Sequence, residues 1–316
     1  MMWTLFISAS WAIEPPIVNG QVETGFPSTV ALGADVGGYL FSACTGNLIT
    51  PRVIISAAHC GEQIPTETIV QLGSAFFGDS IYDPTHTLSF SDHQMHPEYR
   101  SLGTNGYSDE GQFDISVFIL SEDAPIQPTL FRWDPLSIED EGTEMVAVGF
   151  GITSSSANDS GTKRSADVVL SEVNDMFAVV QTGDNEGNSN ICSGDSGGPL
   201  FYYDNDMEQY IQWGIHSYGD QNCLYLGAST RSDVATDWIF EQIEAVHGTT
   251  DMCEIYGWYE DGVCQEYEFC GQTDPDCVAA LEEDDDESKA GMCATTPIEG
   301  GLLCTLFLLL RRRKSA

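Results

Sequence analysis

The sequence predicts an all-β fold of two antiparallel β-barrels, followed by a helix and a small cysteine-rich module. From residue 26 to about residue 130, apolar and polar side chains alternate in short runs that glycine, proline and asparagine interrupt, as in a small β-barrel. Similar runs begin again at residues 145–151. With 316 residues, the chain is long enough to bury two barrels in one core and to leave a small extra module.

The N-terminal 16 residues have the organisation of a targeting segment. Residues 1–12 contain a mostly apolar run and then small residues, with Ser10 and Ala12 spaced as at a signal-peptidase site. We therefore predict a signal peptide at 1–12 and a short propeptide at 13–16. The alternative is a buried N-terminal strand.

Within the first predicted barrel, four runs have the alternation expected of strands: residues 29–32, 47–50, 53–56 and 69–72. The histidines of this half are expected at the surface rather than as metal ligands: His86, His93 and His96. Asp79 and Asp83 are two carboxylates without further hard ligands, so we expect no calcium site there.

A linker around residues 123–140 leads to the second predicted barrel. Within it, the segment 154–161 is rich in Ser, Asn, Asp and Gly and should cross the surface as a loop. After Ser232, a candidate N-cap, apolar residues recur at helical spacing: Val234, Trp238, Ile239, Ile243 and Val246. We predict a C-terminal helix over this segment.

The chain is strongly acidic. It has 49 Asp and Glu against 11 Lys and Arg, a formal net charge of −38, and four of the basic residues are clustered at 311–314. This charge opposes binding to nucleic acid, whose phosphates would be repelled, and it favours solubility. We therefore expect no nucleic-acid partner.

The ten cysteines are even in number and clustered in close pairs, which indicates disulfides formed in an oxidising compartment. Zinc ligation is the competing interpretation of paired cysteines. The pairs of the main body lack metal-ligand spacing, so we predict disulfides and no metal.

Residues 192–200, with the sequence CSGDSGGPL, combine a nucleophile, turn glycines and a carboxylate. A serine hydroxyl reacts only when a base takes its proton and N–H groups receive the negative charge of the oxyanion. The N–H groups of Gly194 and Ser196 are candidates for that site, and Gly197 and Gly198 leave room for a close approach. The alternative is an ordinary Gly-Ser loop between strands.

This segment resembles the catalytic loop of the trypsin and chymotrypsin family of serine proteases, and two further family motifs lie upstream. Residues 56–60, SAAHC, resemble the histidine motif, and residues 113–117, FDISV, resemble the strand that opens with the family's aspartate. The order His, Asp, Ser is that of chymotrypsin among the known triads. The resemblance covers about residues 17–247 and implies a chymotrypsin-like fold of two six-stranded antiparallel barrels.

The resemblance also implies roles for individual residues. Ser196 would attack the peptide carbonyl, His59 would act as the base, Asp114 would orient the imidazole, and the N–H groups of Gly194 and Ser196 would form the oxyanion hole. The substrates would be peptides or proteins, and no cofactor is implied. Two family disulfides are expected from the same resemblance, Cys44–Cys60 and Cys192–Cys223.

The segment 17–20, IVNG, resembles the new N-terminus that activation creates in this family, whose freed amine pairs with the aspartate before the nucleophile, here Asp195. Ile17 and Asp195 are therefore the expected activation pair. The sequence departs from the pattern at 13–16, IEPP, which offers no Lys or Arg to a trypsin-like activator. A peptidase that tolerates proline would be needed.

The specificity pocket departs from that of trypsin. Its floor is Asn190, where trypsin has an aspartate, and the resemblance assigns these residues to substrate binding: Asn190, Ser193, His216, Ser217, Gly219 and Gly227. A large uncharged side chain before the cut is our first expectation, since the two glycines leave the pocket open. The runner-up is glutamate held by His216, with Ser193 and Asn190 nearby. Alternatively, His216 bonds within the barrel and never meets substrate.

The C-terminal part differs from the protease family. We predict a cysteine-rich mini-module at 253–277 that acts as a stalk or as a binding element, and an acidic linker at 278–299. The tail at 300–316 carries Gly-Gly, an apolar run and a basic cluster, and it resembles the C-terminal sorting signals of some Gram-negative bacteria. A simple weak anchor is the alternative.

These features together predict a serine endopeptidase that is secreted or attached to the surface of a Gram-negative bacterium through its tail, and that is a monomer. A catalytically inactive homologue that binds or adheres is the alternative from another class. An esterase with the same triad is disfavoured because no Gly-x-Ser-x-Gly elbow and no alternating βα units are present.

Overall fold

The computed structural model describes these residues: 17–18, 20–101, 113–181, 189–259, 261–264, 267 and 269–277. The predicted signal peptide, propeptide, acidic linker and sorting tail lie outside them. Across the described ranges, no helix is both long enough and apolar enough to span a membrane.

The first barrel is closed and antiparallel. Its six strands are β2 (Thr29–Val36), β3 (Tyr39–Leu48), β4 (Val53–Ser56), β5 (Gly73–Phe77), β6 (His86–Met95) and β7 (Ser116–Leu120), and they follow the order β2-β3-β4-β7-β6-β5 around the barrel. Inward-facing apolar side chains fill the interior, among them Val30, Leu48, Ile54, Phe77 and Leu120. Closure removes the exposed sheet edges that would otherwise pair with other chains.

One segment that alternation predicted as a strand, residues 69–72, lies instead in helix α1 (Thr66–Leu72). Only Ile69 of this helix is buried, and it packs into the first barrel, whereas Leu72 is exposed. One buried residue per turn is the period of a helix on a surface, and a run of four residues is too short to distinguish that period from alternation. The strand begins at Gly73.

The expectation that the histidines are at the surface is wrong for two of them. His93 and His96 are buried and only His86 is exposed. On β6, Leu88 and Phe90 face inward, and a bulge between Phe90 and Asp92 then shifts the register so that His93 faces inward next. A bulge reverses the alternation along a strand, so the periodicity alone places His93 on the wrong face.

The second barrel is also closed and antiparallel. Its strands are β8 (Glu144–Gly149), β9 (Arg164–Val173), β10 (Phe177–Gln181), β11 (Pro199–Asp204), β12 (Gln209–Gly219) and β13 (Leu226–Arg231). The ring runs β9-β10-β13-β12-β11-β8 and closes by pairing of β8 with β9, and the short strand β1 (Gln21–Val22) adds to β9. The predicted fold of two six-stranded barrels is therefore confirmed.

The predicted C-terminal helix is α2 (Thr236–His247), which follows a 3₁₀ turn and ends at Gly248 in the left-handed region. Ile239 and Ile243 are fully buried in a cluster that takes residues from both barrels. Ser232 does not cap the helix with its side chain, because its hydroxyl donates to the carbonyl of Arg132 at 2.6 Å. The helix therefore joins the two barrels into one core.

The cysteine-rich segment contains two disulfides, Cys253–Cys270 and Cys264–Cys277. It begins with the short helix α3 (Met252–Ile255), and Met252 belongs to the same apolar cluster as α2. The hydroxyl of Tyr256 donates to the carbonyl of Ile49 at 2.7 Å. The described part of the module is therefore packed against the barrels rather than extended away from them.

Candidate active site

His59 and Asp114 are brought together by the pairing of two strands in the first barrel. His59 lies on the 3₁₀ turn after β4, and Asp114 lies just before β7, where Ser56 pairs with Ser116. Nδ1 of His59 is 2.7 Å from Oδ2 of Asp114, and the backbone N–H of His59 donates to Oδ1 at 2.9 Å. Since a carboxylate accepts, Nδ1 carries the proton and Nε2 is left as the basic nitrogen.

Asp114 has a third donor that sequence reasoning assigned differently. The hydroxyl of Ser217 donates to Oδ2 of Asp114 at 2.6 Å, although Ser217 was predicted to bind substrate. Asp114 is buried, and a buried carboxylate is stable in its charged form only when hydrogen bonds replace the lost water. The side chain of Ser217 therefore belongs to the His–Asp pair.

The surroundings of His59 favour its charged form. Burial alone would lower the pKa of His59, but the hydrogen bond and the negative charge of Asp114, together with the charge of Glu62, outweigh it, and the pKa is raised above its usual value. An imidazole in this position is a stronger base toward a neighbouring hydroxyl, and its protonated form is stabilised.

Ser196 comes from the second barrel and is held against the first. Its carbonyl accepts the N–H of Thr45 on β3 at 2.8 Å and lies 3.7 Å from Sγ of Cys60, the residue after His59. The predicted disulfide Cys44–Cys60 is formed, and it cross-links the two segments of the first barrel that contact the Ser196 carbonyl. The structure thus brings Ser196, His59 and Asp114 into one region where the barrels meet.

The loop that carries Ser196 needs its glycines. Gly194 and Gly197 have positive φ of 95° and 82°, and a Cβ on Gly197 would lie 1.9 Å from Oγ of Ser56. Among the described residues, neither the N–H of Gly194 nor that of Ser196 donates to a protein acceptor. Two uncommitted N–H groups beside a serine are what an oxyanion requires.

Ile17 and Asp195, the predicted activation pair, are both fully buried. Val18 pairs with Asn190 through two backbone hydrogen bonds of 3.0 and 3.2 Å, which draws the segment into the second barrel. The Asp195 carboxylate accepts the N–H groups of Gly151 and Cys192, each at 2.8 Å. Burial raises the pKa of Asp195 to about 7, although these bonds and the positive charge of Arg164 lower it, so a further cation nearby would favour its ionised form.

At the predicted pocket floor, Asn190 is 1% exposed and its Oδ1 accepts the N–H of Ile191 at 2.8 Å. Its Nδ2 has no partner among the described residues. A Cβ on Gly227 would lie 2.5 Å from that Oδ1, so glycine at this position makes room for the asparagine. Gly219 pairs with Gly227 across β12 and β13. The disulfide Cys192–Cys223 is formed as predicted.

His216 lies inside the second barrel. It is 1% exposed, and its Nδ1 is 2.9 Å from Oγ of Ser229. Burial lowers the pKa of His216 to about 3, although an interaction with the Pro199 carbonyl opposes the shift. The imidazole is therefore neutral near pH 7. Ser193, in contrast, is exposed on the loop.

One group of metal-type ligands lies in the site but is already used. Ligand atoms of Cys44, His59 and Cys60 lie within 4.8 Å of one another. The two cysteines form a disulfide, and Nδ1 of His59 bonds to Asp114. Elsewhere, Nζ of the buried Lys163 lies 3.5 Å from Asp79, one of the two carboxylates considered for calcium.

Sequence comparisons agree with this geometry. The family model described as Trypsin matches residues 17–239. The chain is 30% identical to chymotrypsin of Phaedon cochleariae over 66% of this chain and 74% of that protein. It is 28% identical to spermosin of Halocynthia roretzi and 27% identical to trypsin 5G1 of Aedes aegypti, over 67% and 71% of this chain. The match spans 59% of the length of spermosin and 85% of trypsin 5G1.

Proposed function

Because the chain belongs to the trypsin family of serine proteases, we propose that it is a serine endopeptidase whose catalytic triad is Ser196, His59 and Asp114. The observation that carries this proposal is the buried Asp114, bonded to both the backbone and the ring of His59, together with a serine loop whose Gly194 and Ser196 N–H groups have no protein acceptor among the described residues. An inactive binding homologue would have no need for this arrangement.

The geometry supports the following reaction. Nε2 of His59 takes the hydroxyl proton as Oγ of Ser196 attacks the peptide carbonyl carbon. The carbonyl oxygen becomes an oxyanion that the N–H groups of Gly194 and Ser196 stabilise, while Asp114 stabilises the imidazolium. His59 then donates the proton to the leaving amine, which leaves an acyl-enzyme on Ser196. Water, activated by His59, hydrolyses this ester and restores the serine.

For the residue before the cut, we propose a large uncharged side chain. Asn190 carries no charge that would select Arg or Lys, and its Nδ2, which has no partner within the described part of the chain, offers a hydrogen bond to an acceptor such as the tyrosine hydroxyl. The runner-up is glutamate held by a protonated or donating imidazole of His216; the lowered pKa disfavours the protonated form at neutral pH. The bond to Ser229 supports a structural position for His216.

The proposed location is outside the cytoplasm, because four disulfides are formed by the cysteines that the structure describes and disulfides persist in oxidising compartments. The signal peptide, the sorting tail, a bacterial origin and the monomeric state remain predictions. The substrates that we propose are proteins and peptides, in keeping with the family.

Labelling with a fluorophosphonate probe tests the proposed triad. The wild-type protein should be labelled and should hydrolyse peptides, whereas Ser196→Ala should do neither beyond a trace, because a triad without its serine retains only ~10³ to 10⁴-fold acceleration over water. Ser193→Ala, an exposed serine of the same loop, is the matched control and should still be labelled. Labelling that survives in Ser196→Ala would refute the assignment.

A further inference from the structure

Arg164, a charged residue of β9, is directed toward Asp195 from the sheet on which Asp195 packs. In the β8–β9 pair, Arg164 lies directly opposite Gly149. Asp195 lies over that glycine, since a Cβ on Gly149 would be 2.1 Å from Oδ1 of Asp195. Cross-strand partners project side chains to the same face of a sheet, so Arg164 extends toward the face that Asp195 covers.

The guanidinium of Arg164 donates hydrogen bonds to the backbone segment whose N–H binds Asp195. Its Nη1 lies 3.1 Å from the carbonyl oxygens of Gly151, Asp159 and Thr162. The N–H of the same Gly151 donates to Asp195 at 2.8 Å. Arg164 is therefore linked to the Asp195 carboxylate through Gly151, and it fixes the position of the Gly151 N–H that donates to that carboxylate.

Arg164 is also suited electrostatically. Its side chain is only 7% exposed, so its charge is weakly screened, and its positive charge lowers the pKa of the fully buried Asp195. Among the described residues, the other charge that acts on Asp195 is that of Asp159, which raises that pKa and itself lies 3.5 Å from Nη2 of Arg164. Gly149, Gly151 and Cys192, which also lie against the carboxylate, are uncharged. An amine freed at Ile17 would be the second cation.

We propose that Arg164 is a positioning residue of the oxyanion loop, an internal cation that fixes Gly151 and supports the ionised Asp195 in addition to the amine freed at Ile17. Residues 192–196 then owe their order to two cations, one present from folding onward and one made by cleavage. The catalytic consequence rests on the proposed protease function, whereas the ordering of the loop does not.

The test compares Arg164→Met and Arg164→Lys in the full chain. Arg231→Met is the matched control, since Arg231 is a similarly buried arginine of the same barrel that donates to the carbonyls of Asn174 and Leu136 but does not touch the loop. Amide hydrogen exchange of residues 192–196 is measured in each protein. Exchange should accelerate about 10-fold or more in Arg164→Met, less in Arg164→Lys, and remain unchanged in Arg231→Met.

Kinetics provide the second measurement. Removing one oxyanion donor outright costs about 10² to 10³ in kcat, so a loop that is only loosened should lose about 10-fold in kcat with little change in KM. The acid limb of kcat/KM should move to higher pH in Arg164→Met, because Asp195 would then protonate more readily. Asp159→Asn should move it to lower pH, since that variant removes the opposing charge.

Unchanged exchange and an unchanged pH profile in Arg164→Met would overturn the proposal and leave Arg164 a structural residue. If Arg164→Met does not fold, Arg164→Lys and Asp159→Asn test the proposal instead. The proposal then fails if Asp159→Asn does not shift the acid limb of kcat/KM. If the wild-type protein that begins at Ile17 neither reacts with the fluorophosphonate nor cleaves peptides, the proposed function fails. Hydrogen exchange of the loop still tests Arg164 in that case.

Discussion

Single side chains in this molecule take their roles from partners that are remote in the sequence. Ser217 donates to Asp114, which lies 103 positions earlier, and His216, its neighbour, bonds to Ser229 inside the barrel. Adjacent residues on β12 therefore face opposite ways, one toward the His–Asp pair and one toward the interior. The hydroxyl of Ser217 and Nδ1 of His216 bond to groups in different parts of the chain, so replacing either residue should have a distinct effect.

The preferred residue before the cut should depend on single side chains of the pocket. In a peptide series that varies only the residue before the cut, we expect the highest kcat/KM for Tyr, Phe, Leu or Met, because the floor residue Asn190 is uncharged. His216→Val should leave this order unchanged, since the imidazole is neutral and bonded to Ser229. A preference for Glu that disappears in His216→Val would support the runner-up instead. Efficient cleavage after Arg would exclude both.

Buried neutral histidines predict acid sensitivity. Burial lowers the pKa of His93 to about 4 and that of His216 to about 3, below the value of 6.5 in an unfolded chain. The unfolded state then binds more protons below pH 6.5, so the free energy of unfolding should decrease as the pH falls from 6.5 toward 4. Each histidine should lower the free energy of unfolding by up to about 1.4 kcal/mol for each pH unit of this decrease.

Urea unfolding between pH 7 and pH 4 measures this dependence. His93→Gln and His216→Gln should each reduce the slope of stability against pH, whatever their effect at pH 7. Replacing the exposed His86 in the same way provides the control. An identical slope in all four proteins would show that other groups govern the acid transition.

At the scale of elements, the oxyanion loop is placed by several segments at once. Strand β3 binds it through Thr45, whose N–H donates to the Ser196 carbonyl and whose hydroxyl donates to the Gly194 carbonyl at 2.9 Å. Residues 149–151 lie beneath Asp195, and the N-terminal segment pairs with Asn190. The loop has little regular structure of its own, so its shape depends on these contacts.

We expect the fully active form to begin at Ile17. A buried Asp195 whose pKa is raised to about 7 would cost free energy when ionised, and the freed Ile17 ammonium, which the family resemblance pairs with Asp195, would offset that cost. Mass spectrometry of the active protein should find Ile17 at the N-terminus, and blocking its amine should lower kcat. Equal activity in a species that still carries residues 13–16 would contradict this expectation.

On the scale of the whole molecule, the candidate site is divided between two barrels. The first supplies His59 and Asp114, the second supplies Ser196, and α2 buries Ile239 and Ile243 in the cluster that both barrels share. The cysteine-rich module extends this cluster, because Phe269 packs edge-on against Trp133 with ring centroids 5.0 Å apart. The module should therefore contribute to stability rather than serve only as a spacer.

Two truncations test this division. A chain that ends at residue 299 should be released into the medium with unchanged activity and stability, because it lacks only the predicted sorting tail. A chain that ends at residue 250 should lose several kcal/mol of unfolding free energy, since fully burying one large apolar side chain contributes about 1.5 to 3 kcal/mol and Met252 is one of several. Equal urea midpoints for the two chains would indicate a free stalk, and unchanged cell association of the first would refute the sorting prediction.

The sequence by itself determined the all-β class, the two barrels and the closing helix, because these features depend on local patterns: alternation, helical spacing and turn glycines. Its short motifs carried the family resemblance, and that resemblance implied the pairs Cys44–Cys60 and Cys192–Cys223 and the residues expected to meet at the site. They can be read without knowing which strands are neighbours.

Tertiary structure alone decided which way several side chains face and what they bind. The bulge in β6 turned His93 inward, the register of β8 and β9 placed Arg164 on the face that Asp195 covers, and the packing of the two barrels against each other brought Ser217 to Asp114. None of these has a local signal, because a strand's partner and register are set by burial and hydrogen bonding across the whole sheet. A one-residue change in the register of a strand would turn its side chains to the opposite face of the sheet.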